Sequence, residues 1–114
     1  MIGIDVVDIE RLRTMLEAVP RLEPRLFNES ERAYCQGRGD RVRHLAGTLA
    51  AKEAVMKALG VGSLPAWARR IEITRETSGA PVVKIAGRED ERVAVSITHD
   101  GGVAAAAAFR LQSH

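Results

Sequence analysis

Aromatic side chains are almost missing from this chain: two Phe, one Tyr and one Trp among 114 residues. A core without them is built from Ala, Val, Leu and Ile, which bury less area each. A small domain of that kind gains by sharing surface with a second copy of itself. Cysteine occurs once, at Cys35, which excludes an internal disulfide and suits a reducing compartment. No apolar run reaches the length of a membrane helix. Met1 leads straight into Ile2-Gly3-Ile4-Asp5, which reads as a strand and not as a secretory leader. The expectation is a cytoplasmic protein without membrane contact. A large excess of either charge is absent too, with 17 basic and 15 acidic residues. Hydrophobic content of 46% with 28% charged residues excludes a disordered chain. The length predicts one domain spanning 1–114.

What is present is strongly patterned. Residues 2–7 read as a short buried strand. Ile9, Leu12, Met15, Leu16 and Val19 recur at helical spacing, with Asp8 as N-cap and Pro20 as the stop. Asn28 followed by Glu31 has the form of a capping box, opening a short helix that Gly37 closes. Asp40 caps a long helix that runs to Leu59 and ends at Gly60, with Gly62, Ser63 and Pro65 beyond it. The period then changes. Strands are predicted at 71–74, 82–86, 93–98 and 103–111, the last two joined through His99-Asp100-Gly101-Gly102. The Ala run 104–108 is read as strand because Val103, Phe109 and the preceding glycines flank it. A leading strand and helices followed by an antiparallel sheet define an α+β fold.

Three polar groups stand where a plain core would not place them. Asp5 interrupts an apolar strand, so it needs a cation or hydrogen-bond donors, unless it caps the next helix. Asp8 is better placed for capping. On the long helix Lys52 falls within the stripe of Leu45, Leu49 and Met56, with Glu53 at its edge and Lys57 one turn on. These three either border a ligand or are an ordinary snorkelling lysine beside an i,i+4 ion pair. His99-Asp100 at a strand end could contact a phosphate. A metal site of the HD-phosphohydrolase kind would need more His and Asp ligands than the chain offers. Residues 21–44 carry Arg21, Arg25, Arg32, Arg38, Arg41 and Arg43 against four carboxylates. Such a stretch suits an acidic protein, a phosphorylated ligand or nucleic acid, or is simply a solvated surface.

Taken in order, these segments resemble the holo-acyl-carrier-protein synthases, the small phosphopantetheinyl transferases. Gly3-Ile4-Asp5 through Arg11 resembles the family's opening Gly-x-Asp motif. Phe27-Asn28, Glu31 and Tyr34-Cys35 are similar to a second segment. Leu45-Ala46-Gly47 with Ala50-Ala51-Lys52-Glu53-Ala54, continuing to Lys57-Ala58-Leu59-Gly60, is similar to its signature helix. Gly79-Ala80-Pro81 and Val95-Ser96-Ile97-Thr98-His99-Asp100 match a turn and a late strand. The resemblance implies an enzyme that moves 4′-phosphopantetheine from coenzyme A to a serine of an acidic apo acyl carrier protein, releasing adenosine 3′,5′-bisphosphate. It implies Asp5 and Glu53 as Mg²⁺ ligands, Glu53 as acceptor of the serine proton, and Lys57 and Lys52 as phosphate contacts. Gly79, Pro81 and His99 would line the nucleotide site, and Arg11 would meet the carrier protein. It further implies a homotrimer whose sites are shared between subunits.

Two departures stand out. Thr48-Leu49 occupies the place where the family has Arg and an aromatic residue, so an Arg restored at position 48 is expected to strengthen coenzyme A binding. The segment 86–92 is short, leaving room for a loop or a single turn in place of a helix. Two rival functions remain at this point: a catalytically impaired relative that binds carrier protein, and a basic nucleic-acid-binding domain resting on the arginines alone.

Overall fold

The computed structural model describes residues 1–62 and 64–111. The expected punctuation at Ser63 lies outside the described residues. Strand β1 (Ile2–Asp8) leads into helix α1 (Ile9–Ala18), where Asp8 Oδ1 accepts the Arg11 N–H at 2.9 Å as the predicted N-cap. A five-residue helix α2 (Leu22–Leu26), unforeseen in the sequence, precedes α3 (Glu29–Gln36). The capping box of α3 forms, with Glu31 Oε1 accepting the Asn28 N–H at 2.7 Å. Helix α4 (Arg41–Leu59) starts on Asp40 and closes at Gly60 as expected. After the short α5 (Leu64–Trp67) come β2 (Ile71–Arg75), β3 (Pro81–Ile85), β4 (Arg88–Glu89), β5 (Val93–Asp100) and β6 (Val103–Arg110).

The strands make two antiparallel sheets, in the orders β1-β6-β5 and β2-β3-β4. The segment expected to be a loop or single turn folds as a hairpin: Ala86 and Gly87 both have positive φ, the geometry of a tight two-residue turn, and β4 pairs back on β3. His99 and Asp100 belong to β5 itself, so Gly101 and Gly102 alone make the β5–β6 turn.

Helix α4 is the centre of the molecule. Its sides pack against the first sheet through Ala104, Ala106 and Ala108, against Ile71, Ile73 and Val83 of the second, and against Leu12, Leu26 and Phe27. From Leu45 to Met56 every α4 residue except Glu53 is buried. The predicted apolar stripe is thus one side of a helix buried almost all round. Its Ala-rich surface permits this, since small side chains let three neighbours approach at once.

The first strand corrects another expectation. Its burial alternates: Gly3, Asp5 and Val7 turn toward the interior, while Ile2, Ile4 and Val6 are each about 60% exposed. Phe109 and Val103 extend this apolar outer face across β6, in register with β1. On α1, Ile9, Leu12 and Leu16 are buried, but Met15 and the C-cap residue Val19 are exposed. No helix among the described residues is long and apolar enough to cross a membrane.

Candidate active site

The Gly3-x-Asp5 spacing puts both residues on the inner face of β1, against α4. A Cβ on Gly3 would lie 2.0 Å from the Ala54 carbonyl oxygen and 2.8 Å from the Ala58 nitrogen, so strand and helix touch backbone to backbone there. That close approach brings the next turn of α4 onto Asp5. Lys57 Nζ donates to Asp5 Oδ1 at 3.1 Å and to the Ile4 carbonyl at 2.9 Å. Lys57 is mostly exposed, while the Asp5 side chain keeps only 12% of its surface. Glu53, half-buried, is pushed up to about 7, first by burial and then by the hydrogen bond and charge of Asp5, with Lys57 opposing. With both carboxyls ionised, Asp5 Oδ2 is buried and has no donor. A proton held on Glu53 supplies one.

This pair presents hard carboxylate oxygens, the donor set that a divalent cation such as Mg²⁺ takes. Among the described residues no third His, Cys, Asp or Glu joins them to complete a coordination shell. The remaining ligands would come from water and a phosphorylated substrate. Beside Glu53 opens a largely apolar cavity of about 610 Å³, with Leu26, Leu49 and Met15 in its walls and Arg11 at its rim.

Lys52 is elsewhere. Its side chain is fully buried, and its ammonium donates to Glu31 Oε1 at 2.7 Å, the Leu26 carbonyl at 2.9 Å and Asn28 Oδ1 at 3.0 Å. All three protons are used, so none is left for a phosphate. That corrects its place among the phosphate contacts. Thr48 is also a core residue: it is 3% exposed, bonds the His44 carbonyl at 3.0 Å and faces Cys35. A charge at this position of this chain would be buried against Cys35, which overturns the expectation that an Arg there aids coenzyme A binding.

His99 belongs to a second cluster. Its ring packs on Gly47, where a Cβ would come within 2.7 Å of Nε2, and stands 5.6 Å edge-on from His44. Burial lowers both histidines, helped by the charges of Arg43 and Arg75, which favours their neutral forms. His44 in turn meets Tyr34, on whose ring the Arg38 and Arg75 guanidiniums sit at 4.2 and 4.9 Å. Arg75 Nη1 donates to the Gly79 carbonyl at 3.3 Å, tying the 79–81 turn to this cluster. Neither Arg38 nor Arg75 has a carboxylate in ion-pair range among the described residues, which leaves a cationic, aromatic surface suited to a phosphorylated aromatic ligand. Gly47 and Glu53 are six residues apart on α4, about 9 Å along its axis. Sequence reasoning placed His99 and Gly79 here without Arg38, Tyr34, His44 or Arg75. The Tyr34-Cys35 motif and the presence of a second internal histidine were the available signals.

The arginine-rich stretch does not form one basic face. Arg32 and Arg41 both close on Glu23, and Arg13 pairs with Glu10 and Asp40. Burial alone would raise Glu23, but the Arg41 and Arg32 bonds hold it below its ordinary value. Arg11, Arg21 and Arg25 are exposed, with no ion pair among the described residues. Asp8 is engaged by the Arg11 backbone and Glu10 by Arg13, so the Arg11 guanidinium is free.

The model of the 4′-phosphopantetheinyl transferase superfamily matches residues 1–108. A holo-[acyl-carrier-protein] synthase of Moorella thermoacetica is 41% identical over 94% of this chain and 90% of its own. Two crystal structures share the fold. The Helicobacter pylori holo-[acyl-carrier-protein] synthase in complex with coenzyme A has a TM-score of 0.82 at 28% identity, covering 97% of this chain and 100% of the other. The Bacillus anthracis holo-(acyl-carrier-protein) synthase in complex with CoA (3′,5′-ADP) has a TM-score of 0.78 at 29% identity, covering 94% and 91%.

Proposed function

Since this chain belongs to the 4′-phosphopantetheinyl transferase superfamily, we infer that it moves 4′-phosphopantetheine from coenzyme A onto a serine of an apo acyl carrier protein. Adenosine 3′,5′-bisphosphate leaves. The observation that carries this reading is the pairing of buried Asp5 with half-buried Glu53 under an exposed Lys57. Phosphoryl transfer needs positioning and charge neutralisation more than covalent help. Asp5 and Glu53 would hold Mg²⁺, which would supply positive charge against the negative charge developing on the transferred phosphate and the leaving oxygen. Lys57 uses two of its three protons on Asp5 and the Ile4 carbonyl and has one for the diphosphate. Glu53, deprotonated once the cation has displaced its proton, would accept the serine hydroxyl proton directly or through a water. His99, Gly79 and Pro81, with the Arg75–Tyr34 stack, would receive the nucleotide end. Electrospray mass spectrometry of an apo carrier protein incubated with the chain, Mg²⁺ and coenzyme A tests this. One added phosphopantetheine group is expected, and an unchanged mass would leave only a carrier-binding role.

The same reading assigns a homotrimer with sites shared between neighbours, working in the cytoplasm. The support is the apolar outer face of β1 and β6, where Ile2, Ile4, Val6 and Phe109 stand exposed on one chain. The carrier protein would dock by its acidic helix on Arg11, beside the apolar cavity that ends at Glu53. Rim charges act mainly on association rate and are screened within about 8–10 Å at physiological salt. Arg11→Glu is therefore expected to raise the carrier-protein KM about tenfold, on the order of 1.4 kcal/mol. Coenzyme A binding should stay nearly intact and the salt dependence should flatten. Steady-state kinetics at two ionic strengths decides it, and equal effects on both substrates would end the docking role.

A further inference from the structure

Lys52 and Glu31 do not touch the candidate site, yet they form a polar knot with every group satisfied. Glu31 Oε2 accepts the Ile73 N–H at 2.8 Å, Oε1 takes Asn28 N–H and Lys52, and Asn28 Nδ2 donates to the Arg69 carbonyl at 3.0 Å. Five parts of the chain meet in it: the end of α2, the start of α3, α4, the segment before β2, and β2. Both charged side chains are fully buried. Burial pushes Glu31 up and Lys52 down, each partly countered by the other. As a source of stability such a pair is weak, because the cost of desolvating two ions offsets most of their attraction. Its geometry suggests another use.

Adjacent helix residues point about 100° apart. Anchoring the Lys52 ammonium at three sites therefore sets the roll of α4 about its axis, and with it the direction of Glu53. Glycine contacts alone do not set that roll: Gly3 and Gly47 fix how close α4 lies to the sheet, and smooth Ala surfaces let a helix turn in place. The knot also holds the Leu26 carbonyl, and Leu26 lines the cavity that Glu53 borders. We propose that Lys52, through Glu31 and Asn28, is a positioning residue that aims Glu53 at Asp5 and seats the α2 wall of the cavity beside them. The inference rests on the transfer reading above.

The double variant Lys52→Met/Glu31→Gln removes both buried charges. It keeps an acceptor for the Ile73 N–H but gives up the one that Glu31 Oε1 offers the Asn28 N–H, so one bond of the α3 capping box goes with the charges. Magnesium affinity is measured by calorimetry on folded protein well below its melting temperature, where a stability loss alone does not register. Kd is expected to rise at least about tenfold, with a similar fall in kcat, the range seen when groups that orient metal ligands are lost. Asn28→Ala, which removes one of the three Lys52 bonds and leaves no charge unpaired, should move both quantities the same way by a smaller factor. It decides the question if the double variant does not fold. A folded double variant with magnesium affinity and kcat within twofold of the parent overturns the proposal, as does an Asn28→Ala protein that melts lower but binds the ion unchanged. A parent chain that neither binds magnesium nor transfers the group would instead fail the functional reading beneath it.

Discussion

Asp5→Asn and Glu53→Gln are each expected to lower turnover by at least about a hundredfold while the fold survives, because on the proposed reading each removes one of the two carboxylates that would hold the cation. Neither change alters packing volume, and the amide introduced at either position can still hydrogen-bond its neighbour. The loss is thus one of charge and metal affinity. Proton linkage adds a second readout. Glu53 holds its proton up to about pH 7, so an entering cation must displace it. Below that pH the magnesium affinity of the parent falls about tenfold per unit, and above it the affinity levels off. Glu53→Gln removes that slope. Circular dichroism, turnover in saturating magnesium and calorimetry between about pH 5.5 and 8.5, a range spanning the proton release, make the measurement. A loss under tenfold for either substitution removes that residue from the metal site.

Gly3→Ala is the smallest change with the largest structural consequence. The added methyl would sit 2.0 Å from the Ala54 carbonyl oxygen, a backbone atom of a helix packed on every side. No side chain can move aside, so α4 must lift from β1. Overpacking typically costs about 1–3 kcal/mol and more where backbone must shift; for a domain of this size the upper end lowers the melting temperature by ten degrees or more, at about 4–8 °C per kcal/mol. Because Asp5 reaches Glu53 and Lys57 only across this contact, whatever protein remains folded should also lose most of its activity. Thermal unfolding with parallel assays checks both. A melting temperature within two degrees of the parent would mean that the contact is looser than described.

Local chemistry is legible in the sequence, and tertiary surroundings are not. Asp8, Asn28 with Glu31, Asp40 and Gly60 announce the helix ends because each cap is settled within four residues. The antiparallel β5–β6 hairpin and the Ala-run strand are readable for the same reason. Helices α2 and α5 leave no such trace: five and four residues do not complete an apolar period, and Pro24 and Pro65 look like breakers. Asp5, Glu53 and Lys57 stand out as a group, and the fold brings them together. Lys52 joins them on helix geometry alone, which gives an angle without saying what covers it. The end of α2 and Glu31 cover it, and that depends on a chain reversal which no local pattern encodes. Thr48 misleads likewise, its neighbour Cys35 being thirteen positions away.

The alternation along β1 has a consequence for how this segment can vary. Ile2, Ile4 and Val6 answer to whatever covers the outer sheet face, while Gly3, Asp5 and Val7 answer to α4. Two unrelated demands are interleaved residue by residue on one strand. Each odd or even set can drift without disturbing the other, yet the spacing between them cannot change. Deleting or inserting one residue between Ile2 and Asp5 would turn the carboxylate out to the apolar face and an isoleucine in toward Lys57, so both surfaces would fail in a single event.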